Sequence, residues 1–213
     1  MIANTASLDL VEYIETNILP QYAQFDKAHN LGHVVRVIKR SLDLVRTTGA
    51  DINMVYAIAA YHDIGMSGPR AVHHITGGKI LASDIKLRKW FSAEQLKIMR
   101  EAIEDHRASA SHAPRSIYGK IIAEADRDLD PEIVFRRIIQ FGLANYPELD
   151  KEGHWFRFRE HLENKYSVNG YIKLWIPGSE NESKLKAVRS YIANQSELLR
   201  MFNELYISEI QEK

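Results

Sequence analysis

Apolar residues recur at a spacing of three to four along almost the whole chain, and this constrains the fold more than any other feature. Leu8, Val11, Ile14 and Ile18 fall on one face, and Pro20 ends that segment. Val34, Val35, Ile38, Leu42 and Val45 define a second amphipathic helix, closed by Gly49. Asp51 can cap a third, from Ile52 to about Asp63, whose alanines permit close packing. Ser92 with Gln95 three residues on predicts a capping box, for a helix through Leu96, Met99 and Ile103 to about His106. Asp130–Pro131 is an N-cap followed by proline at the first helical position, ahead of Ile133, Ile138 and Phe141. Ser183 opens a long final helix through Leu185, Val188, Ile192, Leu198 and Leu205. Only Tyr171–Ile176, between Gly170 and Pro177, has strand character. The expected fold is all-α.

The 213 residues suit one domain with a sizeable appendage. The expected division is 1–147 for a helical domain and 148–213 for a helical extension packed on it. The absence of cysteine excludes disulfides, zinc–thiolate sites, iron–sulfur clusters and thiol nucleophiles. Lys plus Arg and Asp plus Glu both number 28, so no global basic field favours nucleic acid or a membrane surface. The longest charge-free apolar stretch, Asn53 to Tyr61, falls far short of the ~20 residues that span a bilayer. Asp9, Glu12 and Glu15 interrupt any signal-peptide pattern. A cytoplasmic location is the expectation.

Chemistry concentrates in the first 112 residues, where His29, His33, His62, His73, His74, His106 and His112 lie. A single helical histidine is most often a surface or satisfied core residue. The doublet His62–Asp63 stands out because it ends the apolar run Val55–Tyr61. An imidazole and a carboxylate at the inner end of a buried helix need partners, since burying a charge unpaired is costly. A divalent metal suits both, and a helix C-terminal cap with a counter-ion is the competing reading. His33 has Arg36 one turn on, and guanidinium matches phosphate oxygens. Asp126 ends the apolar run Ile121–Ala125, with Glu124 and Asp128 as chemical alternatives.

His33, the doublet His62–Asp63, and Asp126 in Ala-Asp-Arg form the ordered pattern H…HD…D. With His29-x3-His33-x2-Arg36-Val37 and Ala60-x-His62-Asp63-Ile64-Gly65, the chain resembles the HD-domain superfamily of metal-dependent phosphohydrolases over about residues 25–142. The resemblance implies an all-α bundle with His33, His62, Asp63 and Asp126 as ligands of one divalent metal, drawn from Mn, Zn, Ni, Mg or Fe. His73-His74-Ile-Thr-Gly77 and Ile103-x-x-His106 match segments of dinuclear members. His73, His74 and His106 are therefore candidates for a second metal or for phosphate binding. His112, His154 and His161 read as structural or exposed; His154 and His161 share a helix face, which leaves open a lid over the site.

The implied chemistry is hydrolysis of a nucleotide or another small phosphate ester by metal-activated water. Asp63 and Arg36 are the catalytic candidates, and Asp63 is both a ligand and a means of orienting water. His29, Arg36, Lys79, Arg107 and Arg127 are the candidate substrate-binding residues. The Gly-Tyr-Pro signature of cyclic-di-GMP-degrading relatives is absent from the expected region. Two alternatives stay open: a di-iron oxygenase on the same fold, and a catalytically silent, metal-stabilised nucleotide sensor. Nothing in the sequence points to a nucleic-acid or membrane partner.

Overall fold

The computed structural model describes residues 6–26 and 29–211. The chain divides into two compact units, Met1–Asp126 and Arg127–Lys213. The first holds α1 (Leu8–Asn17), α2 (Leu31–Thr48), α3 (Ile52–Tyr61), α4 (His73–Ser83), α5 (Ala93–Glu104) and α6 (Ile117–Ala125). The second holds α7 (Pro131–Asn145), α8 (Lys151–Tyr166), α9 (Glu180–Ala193) and α10 (Gln195–Gln211). No strand occurs among the described residues. The all-α expectation holds.

The caps explain where the helices start and stop. Asp51 accepts hydrogen bonds from the Asn53 and Met54 amides at the head of α3. Ser92 and Gln95 form the expected reciprocal capping box on α5. Asp130 caps α7 ahead of Pro131. Gly49 ends α2 with φ +67°, a left-handed conformation that favours glycine.

In the first unit α3 is the core. Every residue from Met54 to Tyr61 is buried, and the helix packs on α1, α2, α4, α5 and α6. Leu10, Ile14, Val34, Leu81, Met99 and Ile103 close around it with essentially no exposure. Each such aliphatic side chain contributes about 1.5–3 kcal/mol on burial. A helix buried on all sides has no solvent face, which is why α3 lacks charge until His62 and Asp63.

The second unit has its own apolar cluster around Phe135, Phe158, Leu162, Val188 and Phe202. Phe158 meets Phe135 and Phe202 with ring centroids 5.5 and 5.2 Å away. Helix α7 packs on α8, α9 and α10, so its apolar face belongs to this cluster. Helix α7 thus packs within the second unit, Arg127–Lys213.

Two local expectations are corrected. The final helix is broken at Asn194, whose backbone (φ −109°, ψ 86°) is not helical. Its side chain accepts from the Glu197 amide at 3.2 Å, so one residue ends α9 and caps α10. The segment Tyr171–Ile176 forms no strand. The amides of Tyr171 and Ile172 instead donate to the carbonyls of Asn164 and Lys165, at 3.2 and 3.0 Å, folding the chain back on the end of α8.

Candidate metal centre

The motif residues sit at helix ends that converge inside the first unit. His33 lies in the first turn of α2, where its amide donates to the Asn30 cap at 3.0 Å. His62 caps the C-terminus of α3, and Asp63 follows it. His73 opens α4, His106 follows the end of α5, and Asp126 caps α6. His33, His62, Asp63, His73 and His106 are all buried.

Their donor atoms form two groups that share Asp63. His33 Nε2 lies 3.2 Å from His62 Nε2 and 3.4 Å from Asp63 Oδ2, and His62 Nε2 lies 3.1 Å from the same oxygen. Asp126 Oδ1 adds to this group, 3.2 Å from His33 Nε2 and 3.9 Å from His62 Nε2. On the other side His73 Nε2 and His106 Nε2 are 3.1 Å apart. They stand 3.4 and 3.6 Å from Asp63 Oδ1. Each triad, His33–His62–Asp63 and Asp63–His73–His106, presents ligand atoms within 4.8 Å of one another.

Hydrogen bonding fixes which nitrogen faces inward. His62 Nδ1 donates to Ala59 O at 2.7 Å, His73 Nδ1 to Arg70 O at 2.8 Å, and His106 Nδ1 to Ile103 O at 2.6 Å. A carbonyl only accepts, so the ring proton sits on Nδ1 and the neutral ring turns a lone pair inward on Nε2. His73 and His106 thus point two lone pairs at each other across 3.1 Å, beside a carboxylate oxygen. Either a proton on one Nε2 or a metal ion between them reconciles that arrangement. A metal-binding histidine ordinarily donates its other ring N–H to a carbonyl or carboxylate in this way, so the residues present fit a divalent ion on chemistry alone.

The electrostatics carry the same demand. Burial lowers the pKa of His33, but Asp126 and Asp63 beside it outweigh burial and push it up to about 9. Burial likewise opposes charge on His106, and Asp63 raises it. Burial raises the pKa of Asp63, yet His62, His106 and His33 hold it well below the ordinary carboxylate range. Asp126 is held low in the same way, with burial opposed by His33 and His62. The pKa of His73 falls, from burial first and then from His106. The carboxylates draw in cations, as protons on the histidines or as a metal ion.

Glycine makes the approach of α4 possible. A Cβ on Gly65 would stand 2.0 Å from the His73 carbonyl oxygen and 2.5 Å from the Gly77 nitrogen. Gly77 itself leaves room for the His62 carbonyl oxygen, which a Cβ would meet at 3.2 Å. The sequence reading missed Tyr22, which is fully buried. Its hydroxyl donates to Ala60 O at 2.9 Å and accepts from the Asp63 amide at 3.3 Å, bracing the doublet from behind. No spacing in the sequence signals this, because Tyr22 lies in a short 3₁₀ helix, Leu19–Gln24, with no α-helical apolar period.

The remaining candidates are spread differently. His29 is at the rim, its ring 6.2 Å from His33 and 6.4 Å from His73, with Nδ1 2.8 Å from Asp26. Arg36 is exposed one turn along α2 from His33. His74 turns away from the two triads, and Arg107 donates to Ala71 O at 2.8 Å; both line a neighbouring cavity. Lys79 is exposed on α4, roughly 120° round the helix from buried His73. Arg127 is buried and begins the second unit, and Asp128 also belongs there. Glu124 is fully buried in α6. His112 is exposed, while His154 and His161 lie on α8 of the second unit.

The helical unit carries two buried His/Asp triads that share one aspartate, a donor set that could hold metal ions. Residues 30–129 match the family model of the HD domain, so that stretch is similar to HD domains. Among solved structures, the predicted HD superfamily hydrolase from an uncultured Thermotogales bacterium is similar. The identity is 21%, the match covers 76% of this chain and 91% of that one, and the TM-score is 0.48. No curated protein matches the chain. Among the described residues no helix is long and apolar enough to cross a membrane.

Proposed function

We propose that this chain is a metal-dependent hydrolase of small phosphate esters that binds two divalent ions. The observation that carries the reading is Asp63, whose two oxygens face two separate pairs of histidine Nε2 atoms. His33, His62, Asp63 and Asp126 would hold one ion, and Asp63, His73 and His106 the other. Bound divalent ions supply Lewis acidity toward a phosphoryl oxygen and lower the pKa of water. The chain's own residues orient that chemistry. The carbonyls of Ala59, Arg70 and Ile103 lock three imidazoles, and Tyr22 fixes the backbone beneath them. Arg36, exposed one turn along α2 from His33, would be the cation to meet charge on a phosphoryl group. The reading includes a cytoplasmic place of work for a cysteine-free chain.

The test is elemental analysis with a phosphate-ester panel run in Mn, Zn, Ni, Mg and Fe. The expected result is two equivalents of metal, with Asp63→Asn losing both metal and turnover. Full metal retention by Asp63→Asn would sink the assignment. Two irons with O2 consumption and no ester hydrolysis would move the reading to the oxygenase, for which a four-histidine donor set is also suited. Ligand-induced stabilisation without turnover would leave a sensor.

A further inference from the structure

Beside the second triad lies a cavity of about 600 Å³, walled in part by His74, Glu104, Arg107, Ser109, Ser111 and Arg115. It adjoins the candidate metal centre through the chain itself. His74 follows His73, with the two rings 5.6 Å apart, and Arg107 follows His106.

The charges on its wall are unequal. Glu104 is neutralised, with one oxygen 2.7 Å from Arg100 Nε and the other 2.9 Å from Arg115 Nη2. Arg115 is spent as well: besides Glu104, its guanidinium and amide grip fully buried Asp105, with the amide at 2.7 Å and Nε at 3.0 Å. Arg107 is different. One of its nitrogens donates to Ala71 O at 2.8 Å, which aims the guanidinium, and no carboxylate among the described residues pairs with it. On the wall of the same cavity, His74 Nδ1 is buried and has no hydrogen-bond partner among the described residues. No Phe, Tyr or Trp is among the described residues lining the cavity; its rings are the imidazoles of His74 and His112.

We propose that this cavity is an anion subsite in which Arg107 and His74 hold a carboxylate or second phosphate carried by the substrate at a distance from the ester that is cleaved. The proposal rests on the phosphohydrolase reading and narrows it, from any small ester to compact, doubly anionic ones. An oriented guanidinium without a carboxylate rival favours such a group by charge-assisted hydrogen bonds. The two serine hydroxyls suit the polyol or short carbon chain between the two anions.

The test compares matched pairs. Calorimetry on EDTA-treated protein would compare 3-phosphoglycerate with glycerol 3-phosphate, and fructose 1,6-bisphosphate with fructose 1-phosphate. Each pair shares the ester, so any contribution of the histidine cluster cancels in the ratio. The wild type should prefer the doubly anionic member by about tenfold to a hundredfold. The pair that responds distinguishes carboxylate from phosphate. Arg107→Gln should bring the ratio near one, with metal uptake by the reloaded protein unchanged, and Arg107→Lys should restore part of it. A wild-type ratio near one for both pairs overturns the subsite, and so does a ratio that survives Arg107→Gln. Should Arg107→Gln not fold, the wild-type ratios and Arg107→Lys decide. Hydrolysis of the same esters by metal-loaded protein separates the two ideas. Turnover with no preference refutes the subsite alone, whereas no turnover with any metal refutes the phosphohydrolase reading and leaves the binding ratios to judge the cavity.

Discussion

Replacing Gly65 by alanine tests how the second triad is assembled. The added Cβ would lie 2.0 Å from the His73 carbonyl oxygen, and real Cβ contacts stay at 3.0 Å or more. The neighbour is backbone at the head of α4, so no side chain can swing aside. The turn Ile64–Ser67 and α4 must separate by about 1 Å, which costs about 3 kcal/mol as overpacking. For a protein of this size that is a fall in Tm of roughly 6–12 °C. The same separation draws His73 Nε2 away from His106, now 3.1 Å off, and from Asp63 Oδ1 at 3.4 Å. Metal content should drop from two equivalents toward one, because His33, His62 and Asp126 lie on other elements. Gly49→Ala is the control. It has φ +67° with nothing within 4 Å of a Cβ, so it should cost about 1–2 kcal/mol and leave metal content untouched. Calorimetry and elemental analysis read both effects. A Gly65→Ala protein with wild-type Tm and two metals would refute the idea that this contact sets the approach of α4.

Three further outcomes are expected. Tyr22→Phe leaves Ala60 O and the Asp63 amide unpaired in a buried place, and should cost about 1–3 kcal/mol in chemical denaturation. Burial, then the charges of Lys165 and Arg157, pushes His161 down to about 4. The unfolded chain then binds more protons at this residue between about pH 6.5 and 4, so stability is lost as pH falls through that window. The loss is about 2 kcal/mol at most, and stability differences between His161→Gln and wild type should shrink below pH 6. Glu209 on α10 is buried and accepts from Arg136 at 2.7 Å and Gln140 at 3.0 Å, both on α7. Glu209→Ala should destabilise the second unit by about 2–3 kcal/mol, measurable as a lower denaturation midpoint.

The helices were legible where sequence and cap agree locally. Asp51, Ser92 and Asp130 mark starts with a side chain that must accept from a nearby amide, and such signals need no tertiary information. What failed was anything decided by a neighbour. Asn194 reads as a tolerable helical residue, yet the chain turns there because one side chain can cap the following helix. Tyr171–Ile176 has strand-like residues but no edge to pair with, so its amides return to α8. Helix α7 follows the motif closely in sequence and packs with the later helices. The candidate site divides along the same line. His62–Asp63 stands out because charge ends an apolar helix, and the family resemblance implies His73 and His106 as candidates. That both face the second oxygen of Asp63 is a fact of three dimensions. So is the split between adjacent residues, in which His73 joins the triad and His74 joins the cavity.

The carbonyls that hold His62, His73 and His106 belong to the residues three positions earlier in the chain. Each imidazole is thus braced by the main chain of its own turn and not by a distant aspartate or glutamate. No point substitution can remove a carbonyl, so this outer support is invisible to mutation and tolerant of drift at Ala59, Arg70 and Ile103. The support is local to each turn, so each ring is oriented by its own stretch of backbone. Attempts to retune metal preference by swapping supporting carboxylates therefore have nothing to grip here, and selection for a new metal would have to act on Asp63, Asp126 or the histidines themselves.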